Sequence, residues 1–496
     1  MIAERPASAL TQLEAKEISF VYPGREEPVL EDFSFSVSAG ERVMLSGASG
    51  SGKTTLLRLL EGSLDPTDGT LARQGKIAMV YQDHRLVPES TVLANVCAGA
   101  LANEPLLCQF WRASSKVRER ALSLLSKLGL GDLASAKVSS LSGGQKQRVA
   151  LARALISRAD IVLADEPLAG LDEDSADEVM GFFFALQAEE GFALVCALHD
   201  GDRFAKDFDR TFDIGSGCLI ASEKGSGWAQ LRSPGVQVKS RLISLMAGLG
   251  VLGFLIWSAS SLGFFDSAKF SAGGGISALG TAVARSLSQG FANVPFPRLL
   301  QSLLETVQMA ALGTALGVLI SAPLSFLALG GGRFFGGLAR GLCTVIRTIP
   351  SLIWALLTVA VVGIGPIAGV LALAAYSLGY LIRFFIEDVE NVDQRAFGAL
   401  RMLGLPRPVA ISRSSLPMAR ASLVGSTFFM FEYNVRAASV LGIVGAGGIG
   451  LELMNALEWR RYDVAIGGLI LLVSLVVVLD TASRVIRTTL TKEKGI

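Results

Sequence analysis

The hydrophobic rhythm of the chain changes near residue 240. Before that point apolar runs are short and end on polar residues: RVMLS at 42–46, IVLAD at 161–165 and LVCALH at 194–199. Runs of this length with such ends read as buried strands of an open α/β sheet, which places its ligand site at the strand C-termini. From Arg241 onward, long apolar runs alternate with short arginine-bearing loops. Measured against the ~20 residues a helix needs to cross a bilayer, they predict about six spans. These fall at 242–262, 303–329, 342–362, 364–386, 421–444 and 464–487, with a soft boundary at Gly363–Pro366. An even number returns the chain to the side on which it started.

Composition sharpens this division. Hydrophobic residues make up 51% of the chain and mean hydropathy is +0.48, both high for a soluble protein. The expectation is a soluble α/β domain over residues 1–222, a linker at 223–240 and an all-α polytopic membrane domain over 241–496. The N-terminal MIAERPASALTQLEAK has no apolar core of the signal-peptide kind, so the soluble half is expected in the cytosol. Arginines 333, 340 and 347 then fall in or near one inner loop, and 395, 401, 407, 413 and 420 in another, in partial accord with the positive-inside rule. A net charge of +1 argues against nucleic acid as a partner. The five cysteines form no metal-ligand spacing and suit a reduced compartment.

The chemistry starts after the first strand run. GASGSGKT, residues 47–54, stands between an apolar stretch and the helical pattern TLLRLLEG, in strand–loop–helix order. Backbone N–H groups of Gly47, Ala48, Ser49, Gly50, Ser51 and Gly52 can turn inward around phosphate oxygens. Lys53 can reach the β- and γ-phosphates of a bound nucleotide, Thr54 can ligate Mg²⁺, and Thr55 follows at the helix start. Downstream, Asp165 suits an Mg²⁺ carboxylate and Glu166 is placed to polarise an attacking water. His84, beside Gln82, reads as a solvated loop histidine.

Taken together, Gly47–Thr54, Gln82 in VYQDHRLVP, LSGGQ at 141–145, Asp165-Glu166, Leu171-Asp172 and His199 resemble the motif set of an ABC-transporter ATPase. The resemblance implies a P-loop ABC ATPase domain with a helical subdomain, binding ATP and Mg²⁺. It implies that Tyr22 stacks on adenine, that Gln82 senses Mg²⁺ and the membrane domain, and that His199 contacts the γ-phosphate. By the same resemblance Ser142, Gly143, Gly144 and Gln145 complete the ATP site of an opposite subunit, and Asp172 sits where two such domains meet. One P-loop and one signature per chain then imply a homodimer.

The inner loop GALRMLGLPRPVAISRSSLP, 398–417, resembles the coupling motif of ABC importers. Gly404, Leu416 and Pro417 match, while Gly398 stands where that motif usually has Glu. The coupling loop is thus expected at about 387–420. RTIPSLIWALL, VGIGPIAGVLALAAYSLG and EYNVRAASVLGIVGAGGIG are similar to the permease subunit of phosphonate importers. That implies an inner-membrane importer of a phosphorus oxyanion, served by an extracytoplasmic substrate-binding protein and surrounded by membrane lipid. Glu432 and Arg436 stand one turn apart in the favourable order for an ion pair. Arg436 and, with it, Arg347 are candidates for the anion's route, the alternative being a purely structural pair. The glycines at 445, 447 and 450 open no βαβ unit, so they suit a re-entrant turn or close helix packing. An importer of another small solute, an efflux half-transporter and a force-transmitting ABC complex remain alternatives.

Overall fold

The computed structural model of the protein describes residues 11–24, 27–48, 50–198, 203–215, 218–219 and 294–492, with isolated positions at 280, 281 and 284. The first expected span at 242–262, the linker, and the site candidates Ser49 and His199 lie outside the described residues. Two compact units emerge: Met1–Glu223 with Ile320–Thr344 and Tyr380–Ser426, and Lys224–Leu319 with Val345–Gly379 and Thr427–Ile496.

In the first unit the N-terminal half runs β1 (Thr11–Phe20), β2 (Leu30–Ser38), β3 (Arg42–Ser46), α1 (Lys53–Glu61), β4 (Asp68–Arg73), β5 (Ile77–Val80), α2 (Val92–Ala98), α3 (Leu106–Phe110), α4 (Ser115–Lys127), α5 (Gly143–Leu155), β6 (Ile161–Asp165), α6 (Glu173–Glu190), β7 (Ala193–Ala197), β8 (Arg210–Gly215) and β9 (Cys218–Leu219). A three-stranded antiparallel sheet has the order β2-β1-β4. The main sheet has the order β5-β6-β7-β3-β8-β9, parallel except for β9. Its central strands are buried on both faces, which explains their unbroken apolar runs. Alternate residues sort cleanly. Val43, Leu45, Ile161, Leu163 and Val195 pack with Leu56, Leu57, Leu59 and Leu60 of α1 and with the antiparallel sheet. Met44, Val162, Ala164, Leu194 and Cys196 face the other way, into a core shared with α2, α4, α5 and α6. Helices α2 to α5 sit between β5 and β6 in sequence and form the helical subdomain.

The C-terminal half is helical: α7 (Phe296–Gly330), α8 (Gly332–Thr348), α9 (Ser351–Val362), α10 (Pro366–Glu390), α11 (Arg395–Met402), α12 (Arg407–Ala410), α13 (Leu416–Leu441), α14 (Gly448–Glu458) and α15 (Tyr462–Lys492). Among the described residues, three helices are long and apolar enough to cross a membrane: α7, α10 and α15. Two bent pairs bring the number to five if each counts as one span. The span expected at 342–362 is sharply bent in the structure. Helices α8 and α9 meet at 86°, and Pro350, which caps α9, is the break. The span expected at 421–444 bends by 44° into α14 through Gly445, Gly447 and Gly448, all at positive φ. Close approach also demands glycine here: a Cβ on Gly450 would stand 1.9 Å from the Ser439 carbonyl oxygen.

Within the second unit, Met309, Ala355, Leu373, Ala438 and Leu441 form an apolar cluster, and the same helices carry a small buried polar cluster. Asn434, fully buried, donates through Nδ2 to Thr314 Oγ1 at 2.8 Å and Ser377 Oγ at 2.7 Å. These bonds tie three helices together inside an apolar medium.

Candidate nucleotide site and coupling element

The loop between β3 and α1 is built to hold something its own side chains do not supply. Gly47 has φ +144°, and a Cβ there would lie 2.5 Å from the Ile214 carbonyl oxygen and 2.9 Å from Ser51 Oγ. Lys53 lies within the loop and donates to the Gly47 and Ala48 carbonyls at 2.6 and 3.0 Å. The Ser51 hydroxyl is buried and lacks a hydrogen-bond partner among the described residues. Gly50 and Gly52 are also left-handed, and Gly52 opens α1. A buried orphan donor, an ammonium turned onto its own backbone and a helix N-terminus together fit a phosphate chain.

Thr54 Oγ1 donates to Asp165 Oδ1 at 3.0 Å. Burial pushes the Asp165 carboxyl above the usual carboxylate range, although the Thr54 bond opposes the shift. A buried carboxylate paired only with a hydroxyl is short of positive charge, which suits a divalent cation. Next to it, Glu166 sits at φ +45° and accepts from Gln82 Nε2 at 3.0 Å. The Tyr22 hydroxyl shares a hydrogen bond with Thr55 Oγ1 at 3.2 Å, holding the ring against the start of α1.

Two helix starts present the remaining predicted residues. Ser142 caps α5 in a capping box: its Oγ accepts from the Gln145 amide at 3.3 Å, and Gln145 Oε1 accepts from the Ser142 amide at 3.0 Å. This leaves Ser142 and Gly143 exposed, with Gly144 beside Leu171. Asp172 caps α6 through the Ser175 amide at 3.3 Å, and its bonds to Ser175 hold its carboxyl below the ordinary range.

The expectation that His84 is solvated is overturned. Its backbone is left-handed at φ +59°, and both its carbonyl and that of Arg85 accept from the buried Arg153 guanidinium, at 2.7 and 2.6 Å. Its Nδ1 is buried without a hydrogen-bond partner among the described residues. Burial lowers the imidazole pKa, so the ring is neutral at pH 7.

The loop predicted at 387–420 lies against the helical subdomain within the first unit. Leu400, Leu405, Val409 and Ala410 pack with Ala98 and Leu101. Arg413 donates through Nε to the Gln109 carbonyl at 2.8 Å and through Nη2 to that of Cys108 at 3.3 Å. Arg395 bridges Asp83 at 3.2 Å and Asp393 at 2.7 Å. Gly404 needs its glycine, at φ +86°. A Cβ on Gly398 would meet open space, so the departure from the motif leaves room and not a clash. Leu416 and Pro417 open α13 after a π-helical turn at Ile411–Ser415. Asp83, Arg395 and Arg413 were not foreseen as site residues. Their only sequence signal was charge in segments already marked for other reasons, since their partners lie about 300 residues away in the chain.

In the second unit Glu432 and Arg436 form the expected ion pair at 3.0 Å, with Glu432 8% and Arg436 48% exposed. Next to them, the Tyr376 and Tyr433 rings stack with centroids 5.3 Å apart and their hydroxyls 2.8 Å apart. Arg347 lies beside Gly379, a Cβ on which would stand 3.1 Å from Arg347 Cγ.

Comparison with known proteins agrees with this layout. The ABC transporter family matches residues 30–169, and the family described as binding-protein-dependent transport system inner membrane component matches residues 305–492. A phosphonates import ATP-binding protein of Nostoc sp. is 36% identical over 226 residues, covering 42% of this chain and 85% of that protein. A lipoprotein-releasing system ATP-binding protein of Rhodospirillum rubrum is 40% identical over 233 residues, covering 43% and 98%. A phosphite import ATP-binding protein of Stutzerimonas stutzeri is 35% identical over 222 residues, covering 42% and 80%. Among solved structures, a nucleotide-free ATP-binding cassette from an ABC transporter is 26% identical, covers 44% of this chain and 92% of its own, and gives a TM-score of 0.39.

Proposed function

This chain belongs to the ABC transporter family, as an ATP-hydrolysing domain fused to a permease domain in a multi-pass membrane protein, and on that premise we propose that it imports a phosphonate or a related phosphorus oxyanion. The observation that carries the reading is the continuous line of contacts from Glu166 through Gln82 and Asp83 to Arg395. It links the residue beside the hydrolytic water to the loop that resembles an importer's coupling motif. Relatives of the ATPase half include both phosphonate and lipoprotein-releasing proteins, so that half does not choose between them. The permease half favours import with a binding protein, because its family is of the binding-protein-dependent kind.

In this mechanism the 47–54 loop and α1 hold the phosphates of ATP. Thr54 and Asp165, joined at 3.0 Å, would hold Mg²⁺, which would supply positive charge to the phosphate oxygens when bound; Gln82 is held nearby through Glu166. Glu166 accepts the proton of the attacking water, and His199 is placed by resemblance at the γ-phosphate. Ser142, Gly143 and Asp172, exposed at helix starts, serve the site of a second copy. Closure of the two ATPase domains then moves the 387–420 loop. Arg436 adds positive potential to the anion's route, with Glu432 limiting the cost of a charge in the bilayer, ~2.5–3.5 kcal/mol. Moving a dianion inward against ~100 mV costs about 4.6 kcal/mol, plus about 1.4 per tenfold accumulation. A pump meets that cost where a pore cannot.

Uptake of radiolabelled phosphonate, phosphite and phosphate by proteoliposomes, with and without the cognate binding protein, tests the reading. ATP-dependent uptake of one of these that requires the binding protein is expected. Uptake indifferent to all three, or outward movement of solute, would refute it.

A further inference from the structure

Two uncovered helix faces in the second unit differ in one respect. On α15, Leu469, Val473 and Val477 recur every fourth residue, exposed and wholly aliphatic, as a face against lipid should be. On α13, Phe429, Tyr433, Arg436 and Val440 follow at spacings of four, three and four, which is one side of a helix. Phe429 and Val440 are exposed, Tyr433 is half-buried against the Tyr376 ring, and the Arg436 side chain is 48% exposed. Ile443, also exposed, continues the apolar line past Val440, so the arginine lies inside an apolar band and not at its rim. Its partner Glu432 is buried, so the carboxylate is turned into the bundle and the guanidinium out of it. A pair with a purely structural task would have both ends buried. The contact engages a single N–H and leaves the rest of the guanidinium fork without a partner among the described residues. Arginines within spans face protein or a water-filled cavity and not acyl chains.

We propose that this face of α13 meets its counterpart on a second copy, and that Arg436 and Arg436 of the partner subunit together bind one phosphorus oxyanion there. The inference rests on the two-copy import reading above. A two-fold contact sets like residues opposite one another, so a residue on this face occurs twice in one place. Two guanidiniums so placed repel until an anion lies between them, and each presents a planar fork matched to a pair of oxygens. A tetrahedral phosphorus dianion has three or more terminal oxygens and can serve both forks; a carboxylate has two and serves one. Glu432 behind each arginine weakens the hold, and a transport site must release what it binds. The apolar flanks, Phe429 and Val440, seal the contact around the pair.

The test uses the full chain in phosphatidylcholine nanodiscs. With a short bifunctional methanethiosulfonate, Arg436→Cys should give covalent dimers and Val477→Cys, on the aliphatic face of α15, should not. Broadening of the ³¹P signal of methylphosphonate reads binding directly, with no binding protein present. Arg436→Gln should weaken that binding at least ~10-fold, the usual worth of hydrogen bonds to a charged group. Arg436→Lys, which keeps the charge and loses the fork, should fall between, and Glu432→Gln should tighten binding about fivefold. Inorganic phosphate should compete and acetate should not. Absence of the Arg436→Cys cross-link in a protein that is dimeric would mean that something else covers the face, and would overturn the proposal. So would equal methylphosphonate binding by wild type and Arg436→Gln; either result leaves the import reading standing. A wild type that is monomeric, or that takes up none of the three phosphorus oxyanions, would sink that reading and this proposal with it.

Discussion

Replacing Leu405 by alanine should uncouple the two halves, and replacing Arg395 should do much less. Leu405 is fully buried, Leu400 and Val409 nearly or fully so, and all three pack onto Ala98 and Leu101 across the contact with the helical subdomain. Truncating such a leucine costs about 2–5 kcal/mol, because the removed methyl groups leave a cavity that the surroundings fill only in part. The Arg395–Asp83 pair is visually prominent, but the Arg395 side chain is 63% exposed. Solvent screening and side-chain entropy hold such pairs to about 0–1 kcal/mol. Taking 1.4 kcal/mol per decade, Leu405→Ala should open the contact at least ~30-fold more often and Arg395→Ala at most ~5-fold. Amide hydrogen exchange over residues 97–111 and 397–411 reads this directly in the assembled protein, and ATP-driven uptake should fall in the same order. If Arg395→Ala deprotects these segments more than Leu405→Ala, electrostatics and not packing holds the loop, and the reasoning fails.

Other expectations follow from the same geometry. Glu166→Gln should still bind ATP, measured with a fluorescent nucleotide, while hydrolysis falls ~10²–10⁴-fold, the usual worth of a positioned general base. Because burial lowers the His84 pKa, the unfolded chain takes up a proton below about pH 6.5 that the folded one resists. Stability should therefore decline as pH falls through that point, and His84→Asn, which tolerates the left-handed backbone, should flatten the acid limb of the melting profile. Gly450→Ala should destabilise the membrane domain by about 1–3 kcal/mol or more, since its Cβ would collide with the Ser439 carbonyl; unchanged thermal stability in detergent would show that the turn can relax.

The candidate nucleotide site is readable in the sequence because its geometry is local. Phosphate binding needs consecutive backbone amides, a lysine and a hydroxyl at fixed offsets, and GASGSGKT supplies all of them within one turn of α1. Strand ends were equally readable, since Asp165 and Glu166 follow a run buried on both faces. The bend in the 342–362 span was missed because hydropathy was counted across Pro350, whose own backbone constraint marked the break. His84 was misjudged for a different reason. Nothing in VYQDHRLVP shows that Arg153, almost 70 residues on, reaches back to hold two carbonyls of the loop. The contact surface of the coupling loop was the least readable part. The loop itself was marked by glycine and proline, but which residues of α2 and α3 receive it depends on tertiary packing alone.

That packing bears on how work crosses the contact. For the proposed dianionic cargo, import against ~100 mV and a tenfold gradient needs about 6 kcal/mol. The element that transmits the movement must stay attached under a comparable load. An exposed ion pair worth at most ~1 kcal/mol would let go first. Burial of Leu400, Leu405 and Val409 at ~1.5–3 kcal/mol each gives a total of the right size. Arg413 adds two charge-assisted hydrogen bonds to backbone carbonyls, a contact that side-chain rearrangement in the ATPase half cannot remove. Arg395 then has a different task. It contacts Asp83, the chain neighbour of Gln82, so on the proposed mechanism the Gln82–Asp83 segment, bonded to Glu166 through Gln82, carries displacement to the loop's rim while the apolar plug bears the strain. A missing glutamate at 398 is tolerable on this division of labour, because the residue sits over open space and outside the part of the contact that holds.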